Sequence, residues 1–345
     1  MECAATLRLA TPSRTATGGL AVARAGVRGS RSRDPRCPPY AGARHTGRGL
    51  SSGRSRVMGE RHVVVSGASI AGLSVAYWMR RLGWQVTVIE RAPAFRDRGQ
   101  NLDVRGVARE VLDRMGLFGA VKRQNTTETG TVFVDADGRV TAELPSDGPD
   151  GATAELEVLR GDLARTIHDH LPPGVVSIHG DSIETVTDSA EAVRIVTSSG
   201  RELLCDLLVV AEGVRSTTRD RTFTADDVTR TDLDVTMVFD TIPRTENDDN
   251  RWRWHTTTRG RQVHLRPDRH GTTRAVLSSS PGDDLTGLDR KEALARLRDR
   301  YADAGWQTRR VLDAFDTSED HPHLSTDQAG DREAHTGRPY RAPAT

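Results

Sequence analysis

The chain has 345 residues, of which 36% are hydrophobic, 28% charged and 4% aromatic, and its formal net charge is +1. This length and composition predict one large domain or two domains that share a core, and they exclude a small scaffold held together by disulfides. The longest apolar runs fall far short of the roughly 20 residues that a membrane-spanning helix needs, so we predict no membrane span.

Residues 1–57 form an Arg-rich extension. They hold eleven Arg and no Lys against Glu2 and Asp34, a net charge of +9 that leaves the rest of the chain at −8. Because this extension lacks sustained periodicity, we predict that it is disordered. It has some features of an organellar transit peptide. The heavy use of Arg, whose codons are GC-rich, instead favours a GC-rich coding region whose translation has been assigned too early a start codon. In that interpretation the protein begins at Met58.

The composition of the rest of the chain limits which partners and which cellular compartment are expected. An acidic body without a basic, aromatic stripe argues against nucleic acid as a partner. The three cysteines, at positions 3, 37 and 205, form no CxxC pair and no metal-ligand spacing. We therefore predict no metal site and a reducing, cytoplasmic location.

A strand, a glycine turn and a helix follow Met58. The run HVVVS at 62–66 predicts a buried parallel strand and leads directly into GASIAG at 67–72. In this pattern Gly67 permits the tight turn, Gly72 lets the helix approach the strand, and the free amides of the helix face a pyrophosphate. Ser69 replaces the middle glycine of GxGxxG with a small side chain. The predicted dinucleotide contacts in this turn are Gly67, Ser69, Ile70, Ala71 and Gly72.

A second predicted strand, WQVTVI at 84–89, ends at Glu90, which lies 23 residues after Gly67. A carboxylate at this position accepts hydrogen bonds from the ribose hydroxyls of adenosine. The spacing therefore predicts an adenine dinucleotide, and on its own it leaves FAD and NAD open.

Four further segments carry a resemblance to a known family. They are residues 90–106, which include Glu90-Arg91 and RGQNLDVRG, and LRGDL at 159–163, DLLVVAEGVRSTTR at 206–219 and RPDRHGTTRA at 266–275. Together they resemble the single-component flavoprotein aromatic hydroxylases, also called group A FAD-dependent monooxygenases. This family has the para-hydroxybenzoate hydroxylase fold and includes a tetracycline-hydroxylase-like branch.

The resemblance implies FAD as the cofactor and adds contacts for it. Arg160 matches the arginine of the family's LxRxxL helix start, and Glu212-Gly213 stands where the family has Asp-Gly, at the end of an apolar run read as a central strand. Arg160 is alternatively a solvated surface charge, and Asp103 is alternatively a partner of Arg105 alone. The predicted contacts outside the glycine turn are Glu90, Arg91, Arg98, Asp103, Arg105, Arg160, Glu212 and Gly213.

The implied fold class is α/β, a Rossmann-like FAD-binding domain of the glutathione-reductase type with an inserted mixed-sheet substrate domain. We predict a disordered extension at 1–57, a discontinuous FAD-binding domain at 58–231 whose last part is missing, a substrate domain at 232–320 and an aberrant, unstructured tail at 321–345. Local patterns predict a hairpin at 131–144, a meander at 175–206 and a helix at 290–304. Gly330-Asp331 resembles the family's GD segment, but no apolar strand precedes it.

The resemblance also implies a function. The chain would be an FAD-dependent monooxygenase that hydroxylates an aromatic or polyketide-like small molecule, with NADPH or NADH as electron donor and O2 as the oxygen source. No universal catalytic side chain is expected because the cofactor carries the chemistry. His255 and His264, on alternating strands, are read as surface histidines. A flavin halogenase is disfavoured. Two alternative functions stay open, a truncated FAD-binding remnant without activity and an NAD-dependent dehydrogenase. The sequence also leaves the substrate and the oligomeric state open.

Overall fold

The computed structural model describes residues 61–96, 99–126, 128–145, 156–224, 226–229, 233–285, 287–317 and 325–328. The predicted extension at 1–57, Arg98 and Gly330-Asp331 lie outside these ranges. No helix in the described part of the chain is long and apolar enough to cross a bilayer.

The described residues contain sixteen strands and seven helices. The strands are β1 (His62–Ser66), β2 (Gln85–Glu90), β3 (Asn101–Asp103), β4 (Gly130–Val134), β5 (Val140–Pro145), β6 (Glu157–Leu159), β7 (Val175–His179), β8 (Ile183–Asp188), β9 (Val193–Thr197), β10 (Glu202–Cys205), β11 (Leu207–Val210), β12 (Thr236–Pro243), β13 (Trp252–Thr256), β14 (Arg261–Pro267), β15 (Thr272–Ser279) and β16 (Ser325–Gln328). The helices are α1 (Ile70–Arg81), α2 (Val107–Arg114), α3 (Phe118–Lys122), α4 (Arg160–Asp169), α5 (Thr217–Thr222), α6 (Arg290–Arg300) and α7 (Thr308–Thr317).

A four-stranded parallel sheet, in the order β11-β1-β2-β7, forms the base of the first half. Strands β1, β2 and β11 are short, apolar and mostly buried, whereas the edge strand β7 is partly exposed. On one face Val63 and Val65 pack with Ala76 of α1, and on the other Val64 and Ile89 pack with Ile195 of the three-stranded antiparallel sheet β10-β9-β8. The predicted strand–turn–helix–strand unit at the start of this half is confirmed, with β1 and β2 in parallel register.

The apolar run 203–211 is not the single central strand that its sequence predicts. It breaks at Asp206 into β10 and β11, which belong to different sheets, and β11 lies at one end of the described parallel sheet. The carboxylate of Asp206 accepts a hydrogen bond from the His62 backbone N–H at 2.7 Å. This bond ties the place where the chain passes from β10 to β11 to the start of β1. The predicted meander is also shorter than expected, because β7 pairs in parallel with β2 instead.

A seven-stranded mixed sheet, in the order β16-β12-β15-β14-β13-β4-β5, forms the second half. The predicted hairpin at 131–144 is present as β4 and β5, but β4 pairs in parallel with β13. The predicted division at residue 232 therefore does not separate the two large sheets, because this hairpin precedes the division and belongs to the second sheet.

The tail also differs from its prediction. Ser325–Gln328 forms β16, antiparallel to β12, so the expectation of an unstructured tail is wrong for these four residues. Polar residues pair there because an edge strand needs only backbone hydrogen bonds from its neighbour.

One face of the seven-stranded sheet is covered by α6 and α7. Val238, Val263 and Leu277 pack there against Leu297 and Phe315. The predicted helix at 290–304 is present as α6 but ends at Arg300, and it begins with a capping box between Asp289 and Glu292.

Candidate functional site

The glycine turn between β1 and α1 leaves no room for side chains at two positions. A Cβ atom on Gly72 would lie 1.8 Å from the carbonyl oxygen of Gly67. A Cβ on Gly67 would lie 2.4 Å from the carbonyl oxygen of Ala211, and Gly67 also has a φ of +104°. The predicted reasons for both glycines therefore agree with the geometry, since the turn is tight and the helix lies directly against the strand.

The start of α1 keeps its amide groups available. Ser69 is the N-cap residue, yet its side chain makes no capping hydrogen bond to the helix. The first amides of a helix have no partner within the helix, so those of Ile70, Ala71 and Gly72 face the turn together with the positive end of the helix dipole. This arrangement suits an anion such as a pyrophosphate.

Arg160 lies beside this turn although it is 91 residues away in sequence. Its Nη2 donates a hydrogen bond of 3.0 Å to the hydroxyl of Ser69. Its backbone N–H donates to the carbonyl oxygen of Gln100, and a Cβ on Gly99 would lie 2.9 Å from the Cβ of Arg160. The structure thus brings together three of the segments that the sequence singles out, residues 67–72, 99–103 and 160.

Glu90 ends β2 next to the same turn. Its carboxylate accepts hydrogen bonds from the backbone N–H groups of Ala68 at 2.8 Å and Ala92 at 2.9 Å. Two amides therefore orient the carboxylate at the rim of the glycine turn. Arg91 follows it and is exposed.

Glu212 organises the loop after β11 by accepting hydrogen bonds from its own chain. The donors are the Ser216 hydroxyl at 2.7 Å, the Thr218 backbone N–H at 3.1 Å, the Thr218 hydroxyl at 2.5 Å and the Ser66 hydroxyl. Burial would raise the pKa of this carboxyl, but these hydrogen bonds outweigh it and hold the pKa below its ordinary value. Gly213 follows with a φ of +77°. The carboxylate thus holds the loop in place beside the end of β1.

Asp103 and Arg105 form an ion pair at 3.1 Å, and both side chains are 38% exposed. The pairing that the sequence left open is therefore present.

The face of the seven-stranded sheet opposite α6 and α7 carries aromatic side chains. The rings of Trp252 and Trp254 stack with centroids 4.9 Å apart, and Trp254 also lies 4.4 Å from His264 and 5.6 Å from Phe133. We call Phe133, Trp252, Trp254 and His264 the aromatic face. Trp252 and Trp254 are half-buried.

The reading of His255 and His264 as surface histidines is wrong, because both are buried at 3% and 5% exposure. His255 lies on the helix-covered face, where its ring nitrogens contact the carbonyl oxygens of Val134 and Ala304. His264 accepts a hydrogen bond from the indole N–H of Trp252 at 3.2 Å. Burial, aided by the charge of Arg266, lowers the pKa of His264 to about 3, so its imidazole is neutral at physiological pH.

A buried ionic cluster joins the aromatic face to β6, and sequence reasoning missed its role. Arg266 contacts Glu128 and Glu157, and its guanidinium carbon lies 4.0 Å from the centre of the Trp252 ring. The alternation of Trp252, Trp254, His264 and Arg266 on paired strands was the available signal, because it places all four on one face.

The fold and the site define an α/β protein whose glycine turn, at the carboxyl ends of its parallel strands, suits an adenine dinucleotide and lies next to a second sheet with an aromatic face. Comparison with known proteins agrees. Residues 60–313 match the family model described as FAD binding domain, and the chain belongs to that family. The prediction of FAD is thereby confirmed at the level of the family.

Individual relatives are similar over part of their length. An uncharacterised protein of Mycobacterium tuberculosis is 41% identical over 165 residues, which are 47% of this chain and 44% of that protein. The flavin-dependent monooxygenase eupH of Phoma sp is 31% identical over 272 residues, 74% of this chain and 63% of that protein. The chain thus spans about half to two thirds of the length of these relatives.

The fold is also similar to that of the tetracycline destructase Tet(51). That crystal structure superposes with a TM-score of 0.69 at 26% identity, over 80% of this chain and 71% of the other.

Proposed function

We propose that the chain is an FAD-dependent monooxygenase that hydroxylates an aromatic or polyketide-like small molecule. The observation that carries the proposal is the convergence of the glycine turn, Glu90 and Arg160 at one place, with an aromatic face on the neighbouring sheet. The similarity to eupH and to Tet(51), whose names state monooxygenase and tetracycline-degrading roles, supports it.

FAD fits the residues that are present. The amides of Ile70, Ala71 and Gly72 would hold the pyrophosphate, the oriented carboxylate of Glu90 would accept from the ribose hydroxyls, and Arg160 would add a positive charge at the same turn. Any side chain at position 72 would displace the backbone that forms this cradle. When bound, FAD supplies electron transfer from NADPH or NADH and the activation of O2. The antiparallel sheet β10-β9-β8 over the parallel one supports the glutathione-reductase type of this domain.

The aromatic face supplies a surface for a planar substrate. Trp252 and Trp254 are half-buried there, and Met237 and Phe239 of β12 are half-buried on the same side of the sheet. His264 contributes no charge at physiological pH. Stacking on such a face favours a flat ring system over a highly charged chain. The cytoplasm, where both electron donors occur, stays the predicted location.

The full 345-residue chain can be tested by titration with FAD, followed by flavin fluorescence and by absorbance near the usual bands at about 375 and 450 nm. We expect binding, and we expect Arg160→Gln to weaken it at least about fivefold because a charge at the turn is lost. Arg165→Gln, on the same helix one turn further along, is the matched control and leaves affinity within about twofold.

Activity is then measured as NADH or NADPH oxidation in air, with and without phenolic and polyketide-like ring compounds. The expected result is a product that contains one oxygen atom from 18O2. Bound FAD without such a product would show a cofactor-binding protein that lacks the activity. An absence of FAD binding would overturn the proposal altogether.

A further inference from the structure

Arg266 on β14 is the centre of the ionic cluster behind the aromatic face. Its Nε lies 3.0 Å from Glu128 Oε2, and its Nη2 lies 2.6 Å from Glu157 Oε1. The side chains of the two glutamates are only 4% and 3% exposed, and that of Arg266 is 14% exposed. Asp103, which is partly exposed, lies 4.0 Å from the same guanidinium.

The cluster holds two buried carboxyl groups but one buried guanidinium. Burial raises the pKa of Glu157 to about 8, the nearby Arg266 opposes this shift, and Glu128 adds to it. Glu157 therefore keeps a proton at neutral pH, which avoids a second negative charge in the cluster. Its Oε1 lies close to Arg266 Nη2 without the alignment of a hydrogen bond.

The groups that face Glu157 come from three elements. Arg266 is on β14, Glu128 precedes β4, and Asn101 and Asp103 are on β3, which pairs with β6. Asp162, in the first turn of α4, makes a separate contact with His270 at 3.1 Å. Loss of the Glu157 proton would leave a charge buried away from water and facing Glu128, a cost that the attraction of Arg266 offsets only in part.

The ionic cluster connects the segment that carries Arg160 with the aromatic face. Glu157 begins β6, and Arg160 follows that strand directly, three residues after Glu157. On the other side, the guanidinium of Arg266 stacks on Trp252, whose indole N–H donates to His264. Arg266 thus touches both the segment that carries Arg160 and the aromatic face.

We propose that Arg266 is a positioning residue that holds the β6 segment leading to Arg160 at a fixed separation from Trp252, and that the buried cluster loosens when Glu157 loses its proton. The inference rests on the proposed function only in assigning Arg160 to the cofactor. The contacts themselves are properties of the chain without cofactor.

The first test uses the chain without FAD. Tryptophan fluorescence is followed from pH 6 to pH 9.5, because the charge next to Trp252 changes when Glu157 ionises. We expect a transition with a midpoint near pH 8 that is absent in Glu157→Gln and in Trp252→Phe. Glu202→Gln removes an exposed carboxylate paired with Arg194 on β9 and is the matched control, which keeps the transition. The same transition in Glu157→Gln would show that another group titrates and would overturn the proposal.

The second test measures the dissociation constant of FAD at pH 6.5 and pH 9. We expect the wild-type chain to bind about tenfold more weakly at pH 9, and Glu157→Gln to change less than twofold between the two values. Arg266→Lys keeps the charge but loses the planar fork, so we expect about fivefold weaker binding at both pH values. Unchanged affinity in Arg266→Lys would contradict a positioning role.

The two tests separate this inference from the proposed function. A wild-type chain that binds no FAD at any pH refutes the proposed function. The fluorescence transition and its loss in Glu157→Gln still decide whether Glu157 controls the contact between Arg266 and Trp252.

Discussion

The guanidinium of Arg160 donates a hydrogen bond to the Ser69 hydroxyl at 3.0 Å, across 91 residues of sequence. The serine that replaces the middle glycine of the turn thus has a partner, and that partner is an arginine beside the dinucleotide site. An N-cap serine ordinarily accepts from its own helix, and here it does not.

Removing the Ser69 hydroxyl should weaken FAD binding even though Ser69→Gly restores the complete GxGxxG pattern. We expect Ser69→Ala and Ser69→Gly each to lose about three- to tenfold in affinity, because Arg160 is no longer held at the turn. The measurement is a double-mutant cycle with Arg160→Gln, read by flavin fluorescence. In the Arg160→Gln background the Ser69 substitutions should have little further effect. Tighter binding by Ser69→Gly would show that the serine only obstructs the phosphate.

Gly72 should be intolerant of even a methyl group. Gly72→Ala places a Cβ 1.8 Å from the Gly67 carbonyl oxygen, a backbone atom, so we expect a loss of at least about 3 kcal/mol in the free energy of unfolding. Gly119 in α3 is the matched control, since the nearest atom to its Cβ would be the end of the Arg123 side chain at 3.8 Å. Gly119→Ala should be neutral or stabilising by roughly 0.5–1 kcal/mol. Urea denaturation of both variants distinguishes a local clash from a general cost of losing glycine.

Glu212 should stabilise the chain at neutral pH. Its pKa is lowered in the folded state, so its contribution is present above the unfolded pKa and is lost as the pH falls through the folded value. We expect Glu212→Gln to lower the Tm by roughly 3–6 °C at pH 7, with allowance for partial solvent screening. The difference between variant and wild type should shrink below about pH 4. A constant difference at every pH would mean that the carboxylate charge is irrelevant to the loop.

His264 should not titrate in the range where an ordinary histidine does. Its folded pKa of about 3 lies below the unfolded value, so the folded chain loses stability as the pH falls from about 6.5 towards 3. NMR of labelled histidine side chains should show a His264 resonance that is constant from pH 5 to pH 8, identified by its loss in His264→Gln. A His264 midpoint near pH 6.5 would show that water reaches the aromatic face.

The sequence allowed good prediction wherever local pattern and backbone sterics decide the outcome. The run at 62–66, the glycine turn and Glu90 fold as predicted because each requirement is satisfied within a few residues. The break of the 203–211 run at Asp206 was not predictable from hydrophobicity, since it depends on a hydrogen bond to His62, 144 residues away. The burial of His264 likewise depends on Trp252 and Trp254 from the paired strand, and alternation alone could not reveal that cover.

The contacts around the glycine turn were therefore not predictable from the sequence. Arg160 was identified by resemblance, yet its bond to Ser69 depends on where β6 places α4. The cluster around Arg266 combines a loop, a two-stranded sheet and a strand of the large sheet, and no spacing along the chain relates Glu128, Glu157 and Arg266.

The pairing of β1 with β11 has a consequence for how the protein is made. The glycine turn rests against Ala211, so its final shape requires a strand that the ribosome synthesises some 144 residues after the first one. Until β11 emerges, the apolar edge of β1 lacks this neighbour, and such long-range parallel pairing forms slowly. For some time during synthesis the nascent chain therefore contains the glycine turn but not the strand that supports it. Holdase chaperones should have their greatest effect on the yield of folded protein in this interval.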